Sequence, residues 1–192
     1  DSSTSRGLGD VYKRQLLLHM PPSSDILSAF DFAPRYQVAV ASRRGTGPVP
    51  RPENQDNFLV IDCAGQASFL LGQEVRRIRL ADWPAGHGRV AVLDGMGGHG
   101  HGREAAEAVA AGLLTIPACT TTLELGRHLD RLHTELQRRF ANEPGARPGT
   151  TLTMLELPAG APPLLYHVGD SRLYEIGPGA ALPLTVDHVP AT

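Results

Sequence analysis

The 192-residue sequence is 41% hydrophobic and has a formal charge of −2, enough for one sizeable core and too little for two independent domains. No long basic block is present, which excludes the clustered Lys and Arg footprint of a nucleic-acid binder, and no apolar run approaches the ~20 residues of a membrane-crossing helix. Cys63 and Cys119 lack Cys-x-x-Cys spacing. They fit a reducing compartment, so a cytoplasmic setting is expected with both thiols as buried small hydrophobes.

In chain order, Asp10-Val-Tyr-Lys-Arg-Gln15 resembles the in-frame translation of a transposase adapter used in sequencing libraries. Residues 1–19 are therefore set aside as a non-native or disordered leader, Met20 is a plausible native start, and residues 20–192 are expected to form part of one domain. Tyr36 to Ser42 alternates as a strand does. Between residues 43 and 53, two glycines and three prolines enforce a loop that delivers Arg51. Asp56 to Asp62 predicts a strand buried through its apolar centre, residues 67–80 a hairpin, and Arg89 to Asp94 a central strand.

Glu104 to Ile116 places Ala105, Ala106, Val109, Ala110, Leu113 and Leu114 at helical spacing, so this helix should pack on a sheet. A second helix, about Leu123 to Ala141, carries the stripe Leu125, Leu129, Leu132, Leu136 and Phe140, which is core material. Gly149 to Leu157, Pro163 to Val168 and Arg172 to Ile176 predict three further strands. Strands, then two helices, then strands point to an α+β layered sandwich and not to a parallel βαβ repeat.

The stretch Arg89-Val-Ala-Val-Leu-Asp-Gly-Met-Gly-Gly-His99 carries the chemistry, because a strand delivers the Asp94 carboxylate into a glycine-rich turn. Gly95, Gly97 and Gly98 allow close backbone approach, so a main-chain carbonyl beside Asp94 could also face a cation. Carboxylates, carbonyls and water suit Mg²⁺ or Mn²⁺, whereas zinc calls for His or Cys at tight spacing. Asp56 and Asp94 are the candidate carboxylates.

Arg51-Pro-Glu-Asn-Gln-Asp-Asn-Phe58, the Asp94 stretch, Gly149-Thr-Thr-Leu-Thr153, His167-Val-Gly-Asp-Ser-Arg-Leu-Tyr174 and Leu184-Thr-Val-Asp-His188 follow in order. Together they resemble the metal-dependent Ser/Thr protein phosphatases of type 2C (PPM) in their bacterial form. The resemblance implies a four-layer α/β-β/α sandwich of two antiparallel sheets flanked by helices, here incomplete at the C-terminus. It also implies a dinuclear Mg²⁺ or Mn²⁺ centre with a metal-bound hydroxide as nucleophile. Asp94 would bridge the ions, the Gly95 carbonyl would bind one of them, and Asp56 would join directly or through water. Arg51 would clamp the substrate phosphate, for which a planar guanidinium is suited; taken alone it would be a surface loop arginine.

Asp170 has two readings of equal weight: a turn residue bonding backbone groups, or, by resemblance, a group near a weaker third metal position. Arg172 is expected to pair with a carboxylate and hold the turn, and His188 to be structural. His99 and His101 read as solvated loop residues. Met96 stands where eukaryotic relatives carry a histidine after the Asp-Gly pair, so no proton donor is identified; metal-bound water and His99 are the candidates.

The implied substrates are phosphoserine and phosphothreonine proteins, those of a partner Ser/Thr kinase. The resemblance implies two more aspartates in the second half of the domain, one in a further Asp-Gly motif and one in an Asp-Asn motif near its end, and the sequence stops at Thr192 before either. Little or no phosphatase activity is therefore expected of this 192-residue polypeptide alone. The alternative is a non-catalytic phosphatase-like module that binds phosphoproteins or a regulatory partner. Nucleotide binding by the glycine-rich turn is disfavoured, because no Gly-Lys-Ser/Thr follows it.

Overall fold

The computed structural model describes residues 30–45, 52–97, 101–141 and 148–188. Strands β1 (Asp56–Ile61), β2 (Gln66–Leu71), β3 (Glu74–Arg79) and β4 (Gly88–Met96) precede helices α1 (His101–Thr115) and α2 (Thr122–Arg139). After them come β5 (Gly149–Thr150), β6 (Leu152–Leu157), β7 (Leu164–Val168), β8 (Tyr174–Gly177) and β9 (Ala180–Pro183). The main sheet is antiparallel throughout in the order β3-β2-β1-β4-β6-β7, with β5 on the end of β4, while β8 and β9 form a separate ribbon. The α+β class and the central place of β4 are as expected.

Alternation along the strands divides the apolar residues between two faces. Leu59, Ile61, Ala67, Phe69, Ala91, Leu93, Leu152 and Met154 meet α1 and α2 on one face. The helix contributes mostly small residues there, Ala105, Ala106 and Ala110 beside Val109 and Leu113, which lets its axis approach the sheet closely. α2 packs on α1 where Leu132 lies against Gly112, a position at which a Cβ would require the Leu132 side chain to move. Of the α2 stripe, Leu125 and Leu129 are buried, and Leu132, Leu136 and Phe140 only half-buried, so the stripe fades toward the C-terminus.

The opposite face is covered at one end by the N-terminal segment. Phe32 is buried against Phe58, Val60, Leu70 and Leu157, with Tyr36, Val38 and Val40 packed around them. Tyr36 to Ser42 shows the expected alternation of half-buried and exposed residues, yet it joins no ladder among the described residues. The strand expected there is therefore corrected to a covering segment.

Turns are set by specific residues. β2 and β3 are joined by Gly72 and Gln73, at φ of 60° and 65°, the two-residue geometry whose twist matches antiparallel strands. Between β1 and β2 the buried Asp62 carboxylate accepts backbone N–H groups of Ala64, Gln66 and Asp31. Asn57, also buried, donates to the Leu70 carbonyl and accepts from the Leu70 N–H at 2.9 Å each. Its side chain thus replaces a ladder partner and fixes the start of β1.

β3 is a sheet edge, exposed along its whole length and carrying Arg76, Arg77 and Arg79.

Candidate metal centre

β1 begins with Asp56 and β4 nears its end with Asp94, and the antiparallel register places the two directly opposite each other. Directly opposed residues project from the same face with Cβ atoms about 4.5–5.5 Å apart, and like charges in that position repel. The shared face is the one away from the helices. At this end the N-terminal segment no longer covers it: Val92, one step from Asp94 on the same face, is 49% exposed. Asp56 is exposed and Asp94 half-buried.

Asp94 is held by the strand's neighbour. Its N–H donates to Thr151 Oγ1 at 2.9 Å, and its carbonyl accepts from the Thr151 N–H at 2.9 Å and from Thr150 Oγ1 at 3.1 Å. Thr151 therefore fills the gap between β5 and β6 with a hydroxyl while the pairing register with β4 runs on unchanged. Both backbone groups of Asp94 are satisfied, and the bonds leave its carboxylate available.

The hydroxyl system extends outward. Thr151 Oγ1 lies 2.7 Å from Ser171 Oγ, and Thr153 Oγ1 donates to the Ser171 carbonyl at 2.9 Å. His167 Nδ1 is 2.9 Å from Thr153 Oγ1, and its Nε2 3.1 Å from the Val186 carbonyl. The threonine motif and the two later motifs thus brace Asp94 as one network. Nothing in their spacing along the chain announces that role.

Gly95 shows why the motif needs a glycine. A Cβ there would run into the Gly102 carbonyl at the start of α1 and would lie 2.6 Å from the Gln55 carbonyl. The reciprocal contact is also close, since a Cβ on Gly102 would lie 2.9 Å from the Gly95 carbonyl carbon. Gly95 N–H donates to Gln55 O at 3.2 Å, which joins the first motif to the second. The first motif also reaches α1: Arg103 pairs with Glu53 at 2.8 Å and with Glu107 at 3.0 Å.

Asp170 sits in the bend after β7, exposed. Among the described residues it joins no cluster of three or more ligating side chains with Asp56 and Asp94. Arg172, as expected, pairs with a carboxylate: its Nε and Nη2 grip Asp187 at 2.8 and 2.5 Å. His188 is structural, its N–H donating to the Gly169 carbonyl at 2.8 Å. His101 opens α1, 3.4 Å from Glu104. Arg51 and His99 lie outside the described residues.

The donor set fits a hard divalent cation, because opposed carboxylates flanked by hydroxyls and main-chain groups offer oxygen alone.

No protein-family model matches the sequence, and no curated protein matches it. Two solved structures do. The serine/threonine phosphatase PstP/Ppp of Mycobacterium tuberculosis shares 27% identity at a TM-score of 0.52, over 77% of this chain and 52% of that one. The catalytic domain of the serine threonine protein phosphatase PstP in complex with 2 manganese ions shares 28% at a TM-score of 0.53, over 77% and 54%. The chain thus spans about half the length of the structures it matches. With a shared fold and the expected motifs in the expected order, the chain is similar to bacterial Ser/Thr phosphatases of type 2C (PPM), its structural neighbours being the PstP/Ppp catalytic domain.

Proposed function

We propose that this chain is the metal-binding part of a phosphoprotein phosphatase acting on phosphoserine and phosphothreonine, and that residues 20–192 belong to a single domain. The observation that carries the reading is the register pairing of Asp56 with Asp94 on the open face of the sheet. Two like charges set directly opposite each other cost stability in the free protein. A divalent cation held between the two carboxylates would lower this cost. The manganese-bound neighbour supports a divalent metal such as Mn²⁺, and Mg²⁺ would suit the same oxygen donors.

In this mechanism Asp56 and Asp94 would hold the ions, the Gly95 carbonyl would supply a further oxygen, and Asp170 would serve a weaker third position. Bound divalent ions would supply acidified water and neutralise charge in transit. Arg51 clamps the phosphoryl oxygens and orients the monoester. The Thr151–Ser171–Thr153 network keeps Asp94 from turning away. The substrates are proteins phosphorylated by a Ser/Thr kinase, and the setting is cytoplasmic. No helix among the described residues is long and apolar enough to cross a membrane.

Asp56 and Asp94 alone supply less negative charge than two divalent ions call for, so the 192-residue polypeptide is expected to bind Mn²⁺ weakly and turn over slowly. The test is Mn²⁺ titration by calorimetry alongside phosphopeptide hydrolysis. Heat of binding should vanish in Asp94→Asn and Asp56→Asn, and residual hydrolysis should fall in Arg51→Ala. Binding unaltered by both aspartate changes would refute the site. Rapid Mn²⁺-dependent hydrolysis lost in Asp94→Asn would refute the expected weakness and uphold the phosphatase. A site that binds Mn²⁺ and phosphopeptide with no hydrolysis would favour the docking-module reading.

A further inference from the structure

A different donor set lies at the other end of α1. Cys119 Sγ, a Glu124 carboxylate oxygen and a His128 ring nitrogen all lie within 4.8 Å of one another. α1 is a 15-residue helix, about 22 Å long at 1.5 Å per residue, and its start abuts Gly95 while its end leads into Cys119. The cluster is therefore remote from Asp94 and lies on the helix side of the sheet. We propose that Cys119, Glu124 and His128 form a second metal site, selective for zinc over Mn²⁺ and Mg²⁺, that pins the start of α2 to the loop leaving α1.

The side chains converge for simple reasons. Glu124 and His128 are four residues apart in the first turns of α2 and so project from one face. Cys119 is fully buried in the preceding loop, its thiol donating to the Pro117 carbonyl at 3.2 Å. Thr121 caps α2, its hydroxyl accepting from the Glu124 N–H at 3.2 Å. A glutamate at this position commonly returns the bond to the cap's own N–H. Among the described residues Glu124 does not, and neither its carboxylate nor the His128 ring takes a hydrogen-bond or ion-pair partner there. Both are uncommitted, and they close the cluster with the thiol.

One sulfur, one nitrogen and one oxygen make a borderline-soft set. Zinc takes such ligands at about 2.0–2.3 Å with a fourth position for water, whereas Mg²⁺ and Mn²⁺ prefer oxygen throughout. Ligand atoms around a tetrahedral zinc lie about 3–4 Å apart, which rotation of the exposed Glu124 and half-buried His128 side chains can reach. Burial, then the Glu156 and Glu124 carboxylates, push the Cys119 thiol up to about 11 against the opposing influence of Arg89. The metal-free thiol is thus protonated and poorly nucleophilic, which argues against a reactive-cysteine role. Zinc would displace that proton.

The test uses Co²⁺ as a spectroscopic stand-in for zinc, added to the whole chain in excess Mg²⁺. A thiolate-to-cobalt absorption in the near ultraviolet is expected, saturating at a single ion per chain and bleached by Zn²⁺. It should be lost in Cys119→Ser, kept in Cys63→Ser and unchanged in Asp94→Asn. Because Cys119 is part of the core, His128→Ala on the helix surface is the second variant, with Co²⁺ affinity expected to fall about tenfold or more. No absorption, absorption surviving Cys119→Ser, absorption lost in Asp94→Asn, or full affinity in His128→Ala would each overturn the proposal.

Discussion

The two ends of β4 handle charge in opposite ways. Near its start, Arg89 points toward the helices and is wholly buried, as is its partner Glu156, with which it forms an ion pair. The remaining guanidinium bonds go to the carbonyls of Leu113, Ile116 and Pro117 at the end of α1, the Trp83 ring stacks on it, and His87 completes Glu156 at 2.5 Å. Near its other end, Asp94 points away from the helices and faces Asp56, another carboxylate. A charge that serves the fold arrives with its counter-charge and saturated hydrogen bonds. The carboxylates assigned to chemistry are set against each other.

That contrast can be broken most forcefully at the structural end. Glu156→Ala leaves Arg89 buried without its counter-charge, and should cost about 3–5 kcal/mol, read as a drop in the urea unfolding midpoint. A loss within measurement error would mean that the carbonyls alone satisfy the guanidinium. Next in size is Gly95→Ala, whose added methyl would force the strand end and the start of α1 apart. About 1–3 kcal/mol should be lost, seen as a lower Tm in the absence of metal.

Asp94→Asn sharpens the comparison through its sign. Relieving the repulsion with Asp56 should raise metal-free stability by up to about 1 kcal/mol, while the Mn²⁺-induced rise in Tm disappears. A destabilised Asp94→Asn would make this end structural too. The smallest effect is expected at Arg172 and Asp187, on the surface. The Arg172 hydrogen bond holds the Asp187 carboxyl below its ordinary value of 3.8. Its stabilisation is therefore complete above pH 3.8 and is lost as pH falls through the lower folded value. Hydrogen exchange along β8 and β9 should quicken over that acid range, and Asp187→Asn should remove the pH dependence.

Where a periodic pattern reports burial, the sequence was readable: the apolar centre of β1, the alanine face of α1 and the apolar residues of β4 are all found where expected. Asp94 and Gly95 could be named because a strand that ends in a glycine-rich turn carries a local chemical signature, whereas Asp56 was named through the resemblance of the motif that contains it. Tyr36 to Ser42 shows the limit of that logic. Its alternation correctly gives which residues face the core, but burial needs only a surface to lie on, whereas a strand needs a ladder. β9 went unread because Ala180 to Pro183 is exposed throughout and has no alternation to detect. Arg89 and Glu156 are 67 residues apart, and only the β4–β6 register makes them neighbours. The same distance problem hid Thr151 and Ser171, whose motifs were visible while the bond between them was not. Glu124 and His128 share helical spacing, but Cys119 precedes the helix and no cysteine-pair motif draws attention to it.

The arginines of β3 bear on how the molecule meets its own copies. An unpaired edge invites a second sheet to continue the ladder. Two copies approaching there would bring Arg76, Arg77 and Arg79 of each against those of the other, with only Glu74 to offset them along the strand. Lateral growth from this flank is therefore opposed by charge, and that opposition weakens as salt shortens the reach of the repulsion. The same feature makes crowding at low ionic strength less hazardous for this protein than its open edge alone would imply.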